Sequence, residues 1–236
     1  MGLMDSFKIR AALAKHQKGD IEGAKKEYEA LISQGILKPN YLLPYSVLLL
    51  REGGEENFQK VKNLLAKIQR APELTKDDRS QLLMNYAVAD WKLGNREKAV
   101  KLLESAHRER PCGLTYETLG YLYVEMGDAD RALSFNTEAC EYDDEDSITL
   151  DNLGQLYYRV IGDKAKAREY FEQAHKLKPG QIDTLWFLSR YDLEEGRTDE
   201  AIEKLETAAV GRFSPLNHVS RAQVEEEIKR LKAENA

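Results

Sequence analysis

Small and large apolar residues recur along this chain at a nearly fixed spacing. Ala24, Val61, Ala99, Ala132, Ala167 and Ala201 form one column, with gaps of 37, 38, 33, 35 and 34 residues. Four residues beyond them stand Tyr28, Leu65, Leu103, Asn136, Phe171 and Leu205. Seven beyond stand Leu31, Ile68, Ala106, Ala139, Ala174 and Ala208. Offsets of four and seven share one face of an α-helix. A face that alternates small and large side chains suits close packing against a second helix.

Five residues before the column come Gly19, Gly94, Gly127, Gly162 and Gly196. Glycine accepts the left-handed conformation that ends one helix before the next begins. Asp20, Asp128 and Asp163 follow, placed to cap the next helix. The segment before each glycine has its own small residue: Ala12, Ala87, Gly120, Gly154 and Ser189. Pro111 and Pro179 fall where the second helix should stop. The pattern predicts pairs of short amphipathic helices, repeating near the 34-residue period of a helix-turn-helix solenoid.

These columns resemble the tetratricopeptide repeat family over nearly the whole chain, most specifically after Arg79. The resemblance implies an all-α fold: a right-handed superhelical solenoid of about six repeats plus a C-terminal capping helix. The repeats would fall at 5–38, 41–72, 80–112, 113–146, 147–180 and 182–213 of a single domain 1–236, with the cap at 214–236. The second is irregular. Val61 replaces the small residue, Leu49 stands where Ala or Gly is usual, and Gly53-Gly54 brings the turn early. The fourth has Asn136 where a large apolar residue is usual. The fifth carries one extra residue before Gly162, which predicts a bulge or an added turn residue. Two signals compete for the start of the last helix, Ser214-Pro215 and the pair Ser220 and Gln223. Beyond them Val224, Ile228 and Leu231 make a narrow apolar stripe. Glu225 with Lys229 and Glu226 with Arg230 are spaced to pair on its outside.

Charge narrows the partners. Charged residues are 32% and balanced, with a net charge of −6. Sequence-independent nucleic-acid binding needs a clustered basic face instead. Two cysteines do not make a disulfide framework. The longest apolar run, 41–50, contains Pro44 and is half the roughly 20 residues of a membrane-spanning helix. The expectation is a soluble, cytoplasmic chain with no membrane insertion and no nucleic-acid partner. Met1-Gly2-Leu3-Met4-Asp5-Ser6 fits a myristoylation pattern, although an ordinary helix start is the simpler reading.

No catalytic chemistry stands out. His16, His107, His175 and His218 are scattered, and no His or Cys pair has metal-ligand spacing. His107, Cys140 and His175 share one repeat position, but neighbouring helices lie about 8–10 Å apart, too far to share an ion. The run Asp143 to Asp146 lacks the glycine and alternating ligands of a calcium loop. Phosphate-loop, nucleophile-elbow and H-E-x-x-H motifs are absent. The expectation is a chain with no enzymatic activity, no cofactor and no metal.

The resemblance also implies a concave face lined by the first helix of each repeat, where a peptide or partner protein lies. That face takes in Asn85, Val88 and Trp91, then Tyr121, then Asn152, Gln155, Tyr158 and Arg159, then Trp186 and Arg190. Asn85 and Asn152 match an asparagine that several family members use to bond a peptide backbone. Glu117 and Asp151 stand beside them and would repel a terminal carboxylate. Tyr116, Tyr123 and Tyr157 are in phase with the packing columns and read as core. The implied function is a non-enzymatic scaffold that binds a peptide or partner protein in the groove of the four C-terminal repeats. A homodimer built through the apolar run at 41–50 and a peptide-responsive regulator are the alternatives.

Overall fold

The structure is a computed structural model that describes residues 3–235, so Gly2 and the myristoylation signal it carries lie outside the described residues. Every regular element among them is helical. The chain divides into two compact units, Met1–Leu103 and Glu104–Ala236.

The first unit holds α1 (Leu3–Gln17), α2 (Ile21–Ser33), α3 (Pro39–Glu52), α4 (Glu55–Ile68), α5 (Lys76–Lys92) and the first half of α6 (Arg96–Glu109). Helix α1 packs on α2, α3 on α4, and α5 against both α3 and α4. Ala12 and Ala24 are fully buried, which lets α1 and α2 approach closely. The irregular stretch forms a helical hairpin like its neighbours. Helix α3 runs through Pro44. Tyr41, Leu42, Leu43, Tyr45, Leu48, Leu49 and Leu50 are all buried. Tyr28 lies against two of them, with ring centroids 5.5 Å from Tyr41 and 5.1 Å from Tyr45. The apolar run is therefore core of this unit and not a free surface for a dimer: its side chains are covered by α2, α4 and α5. One buried ion pair joins α4 to α5, where Lys62 Nζ lies 2.5 Å from Asp90.

The second unit holds the rest of α6, then α7 (Gly113–Met126), α8 (Ala129–Tyr142), α9 (Ser147–Leu156), a π-helical turn (Tyr157–Ile161), α10 (Lys164–Leu177), α11 (Ile182–Glu194), α12 (Thr198–Ala209) and α13 (Arg221–Glu234). Helix α7 pairs with α8, α9 with α10 and α11 with α12, and α13 covers α12. Ala132, Ala167 and Ala201 are fully buried at the crossings. Gly154 shows why that position must be small. A Cβ there would fall 2.5 to 2.9 Å from the Phe171 ring. Opposite Gly120 the space is filled by Asn136, which donates to the Gly120 carbonyl at 3.2 Å and to Ala132 at 2.9 Å. This explains a polar residue in a column of large apolar ones.

The extra residue of the fifth repeat is absorbed inside the helix. The turn 157–161 widens to π geometry and closes when Gly162 N–H donates to Tyr157 O at 2.8 Å, with Gly162 at φ +85°. Asp128 and Asp163 then cap α8 and α10 by accepting from Arg131 N–H at 3.2 Å and Lys166 N–H at 2.9 Å. At the C-terminus, Ser220 and Gln223 form the capping box that starts α13. Ser214-Pro215 lies in a loop, where Ser214 N–H donates to Asn217 at 2.6 Å. Val224 and Leu231 of α13 complete a core with Ile182, Leu185 and Leu205. Arg230 pairs with Glu227 and Glu234 rather than with Glu226, and Glu227 also pairs with Arg190 of α11.

Asp163→Ala removes the acceptor for the first turn of α10 and should lower unfolding free energy by about 1 kcal/mol, whereas Asp163→Asn should be nearly neutral. Urea denaturation of the three proteins measures both.

Candidate functional site

Helices α7, α9 and α11 of the second unit stand in a row, joined by side-chain bonds one repeat apart. Asn152 Nδ2 donates to Glu117 O at 3.0 Å, 35 residues away. Thr184 Oγ1 donates to Asp151 at 2.5 Å, 33 away. Gln181 Nε2 reaches Ser147 O at 3.1 Å, and Arg159 reaches Glu125 at 2.6 Å, each 34 away. The C-terminal segment extends the ladder by one step. Asp183 accepts from Asn217 Nδ2 at 3.0 Å, from His218 N–H at 3.0 Å and from Val219 N–H at 3.4 Å. The His218 ring stacks on Phe187 with centroids 5.2 Å apart. Arg190 Nη1 donates to Glu227 at 2.6 Å.

The electrostatics of this wall follow from burial. Burial pushes the carboxyls of Asp151 and Asp183 well above the ordinary range, and the charge of Asp183 pushes Asp151 further. For Asp183 the bonds from Asn217, His218 and Val219 oppose that rise. Glu117 is raised to about 7, first by burial and then by Asp146, with Lys178 opposing. Burial lowers His218 to about 4, and the nearby Arg159 adds to it. Glu227 is held down at about 2 by Arg230 and Arg190, against its own desolvation.

The expected lining residues divide into two groups. Asn85, Val88, Trp91, Tyr121, Asn152 and Gln155 are buried. In the first unit both ends of the Asn85 amide are engaged, donating to Ser46 Oγ at 2.8 Å and accepting from Gln81 at 2.7 Å. Trp91 lies under Arg96, whose guanidinium is 5.1 Å from the ring centroid. In the second unit Asn152 is engaged by the Glu117 carbonyl, and Gln155 donates to Asp151 at 2.7 Å. Tyr158, Arg159, Trp186 and Arg190 keep partial exposure. Tyr158 leans on Phe187 at 5.0 Å and on Tyr191 at 5.8 Å. Arg190 lies over Trp186 at 4.1 Å. Tyr158 thus packs in the cluster of Phe171, Phe187 and Tyr191, Arg159 is held by Glu125 and Gln155, and Arg190 is held by Trp186 and Glu227. Tyr116 and Tyr123 are buried, and Tyr157 stacks on Tyr170 at 5.6 Å, all in packing roles.

Asp183, Glu125 and His218 belong to the same wall and were not among the expected residues. A signal was present: Asp183 and Asn217 lie 34 apart, one period of the columns. His107 serves packing, with Nδ1 3.0 Å from Thr115 Oγ1 and its ring edge-on to Tyr116. Asp146, in the acidic run, caps α9. Among the described residues no group of three or more His, Cys, Asp or Glu is placed to hold a metal, and no helix is long and apolar enough to cross a membrane.

Residues 149–179, from α9 through α10, match a family model described as a tetratricopeptide repeat. That segment is therefore similar to one tetratricopeptide repeat. Over 128 residues the chain is 26% identical to anaphase-promoting complex subunit 7 of Arabidopsis thaliana, a match that covers 54% of this chain but only 23% of that longer relative. Its fold is also that of TTC0263, a thermophilic tetratricopeptide-repeat protein of Thermus thermophilus, with a TM-score of 0.64 at 17% identity. That likeness covers 83% of this chain and all of the other. A structure of MamA MSR-1 overlaps at a TM-score of 0.46 and 16% identity, covering 80% of this chain and 97% of that one.

A wall with raised carboxyl pKa values carries a pH signature. Glu117 titrates near 7 folded and near 4.5 unfolded. Its contribution to stability is therefore full below about pH 4.5 and is lost as pH rises through 7. His218 works in the opposite sense, contributing above its ordinary 6.5 and losing that as pH falls toward 4. Comparison with Glu117→Gln isolates the first effect. The melting temperature of wild type relative to this variant should fall steadily between pH 5 and pH 8.

Proposed function

We propose that this protein is a non-enzymatic interaction scaffold and that the wall formed by α9, the π turn and α11 receives an extended segment of a protein partner. The observation that carries the reading is the partly exposed set Tyr158, Arg159, Trp186 and Arg190 of the π turn and α11, within which Arg190 lies over the Trp186 ring. Tyr, Trp and Arg dominate the energetic centres of protein interfaces because they combine large area with few rotatable bonds and strong donors. Asn85 is engaged by the side chains of Ser46 and Gln81 and Asn152 by the Glu117 carbonyl, so partner recognition falls to rings and guanidinium groups. The Arabidopsis relative is named as a subunit of a larger complex, which accords with a scaffold role.

The test is affinity capture from the native host with the full-length chain immobilised. Tyr158→Ala combined with Trp186→Ala should reduce recovery of the partner at least tenfold. Lys176→Glu, on the exposed end of α10, should leave it unchanged. Circular dichroism checks that each variant is folded. Equal recovery with the folded double variant would refute this wall as the binding surface.

A further inference from the structure

Helix α1 carries a second surface, apart from the wall. Met4 and Phe7 are 73% and 74% exposed, and Ala11 and Ala14 beyond them are also exposed. Their spacing of three, four and three residues is that of a helix-pairing seam. The opposite side of the helix, at Ile9 and Ala12, is buried in the first unit. Elsewhere large exposed apolar residues such as Tyr142, Leu177 and Val210 occur singly, as they do on ordinary surfaces. The α1 stripe is too narrow for a helix lying in a lipid interface, which needs a broad apolar face. Its two alanines instead leave room for the backbone of another helix.

Charge says which helix fits. Lys8 and Lys15 flank the seam on one side and Arg10 on the other. Lys8 is bonded at 2.7 Å to the neutral Gln34 and keeps its net charge, while Lys15 is paired with Glu27 at 2.8 Å, so Lys8 and Arg10 carry most of the positive charge beside the seam. A second copy of α1 laid antiparallel would set Lys8 against Lys15, and laid parallel would set Arg10 against Lys15. Both arrangements bring like charges together. We propose that the outer face of α1 docks an amphipathic helix of a protein partner, apolar along its seam and acidic on both flanks.

The test uses the full-length chain and two fluorescent synthetic helical peptides with leucine seams, one flanked by Glu and one by Lys. By fluorescence anisotropy, the Glu-flanked peptide should bind at least tenfold more tightly than its Lys-flanked twin. Phe7→Glu should weaken that binding at least tenfold with no change in thermal melting, since Phe7 supports no core. The triple variant Lys8→Glu, Arg10→Glu, Lys15→Glu should reverse the preference. Absence of binding, or equal binding of the two peptides, overturns the proposal. So does a concentration-dependent dimer in sedimentation that Phe7→Glu abolishes, which would assign the face to a second copy. Binding to phosphatidylserine vesicles that Phe7→Glu abolishes, without peptide binding, would assign it to a membrane and also overturn the proposal.

Discussion

Two helices can approach closely only where one of them presents almost no side chain, and this constraint recurs through both units. Ala24, Ala132, Ala167 and Ala201 sit at such crossings with no exposed surface. Gly154 shows the limit, with the Phe171 ring occupying the volume its side chain would need. That ring in turn stacks on Phe187 with centroids 4.8 Å apart, so the crossing of α9 and α10 also positions α11. Once hairpins are held at this distance, consecutive first helices come within reach of each other's polar side chains. The bonds from Asn152, Gln181, Thr184 and Arg159, each spanning 33 to 35 residues, follow from that spacing. The wall is thus a consequence of small residues elsewhere.

The same logic fixes which polar groups reach solvent. Inside the wall, Asp151 and Asp183 accept from donors one repeat on, Asn152 and Gln181 donate to carbonyls one repeat back, and losing any one of these bonds would cost about 1–3 kcal/mol. Amides engaged in this way hold the helices in register and have little left to offer a partner, whereas Arg159 keeps partial exposure beside its pair with Glu125. Side chains toward the C-terminal ends of α9 and α11 lie beyond the matched region. There Arg190 rests on Trp186 while Glu227 of the capping helix neutralises it. Helix α13 both closes the core of the last hairpin and supplies the last polar step of the ladder.

Much of this could be read from the residues. The columns at offsets four and seven, the glycine turns and the aspartate caps all specify local geometry, and local geometry is what a helical period encodes. The extra residue before Gly162 was visible as a break in spacing, but not the π turn that absorbs it, because a bulge and a longer turn have the same count. The run at 41–50 misled for a related reason. Continuous apolar sequence marks burial without saying whether the covering surface belongs to the same chain. The candidate lining was harder still. Asn85 and Asn152 sit at the position of a peptide-binding asparagine, yet an amide that bonds Ser46 or the Glu117 carbonyl leaves the same sequence trace as one that bonds a ligand. Only coordinates separate the two. The spacing of Asp183 and Asn217 is one period and legible, but the role of His218 is not, because the loop that carries it has no helical period of its own.

The most direct test of the packing account is a double-mutant cycle between Gly154 and Phe171. Gly154→Ala and Phe171→Leu should each destabilise the protein, while the pair together should cost less than the sum by about 1 kcal/mol or more, because the smaller side chain frees the space the methyl group needs. Additivity within about 0.3 kcal/mol would contradict the claim that mutual exclusion of these two side chains sets the distance between α9 and α10.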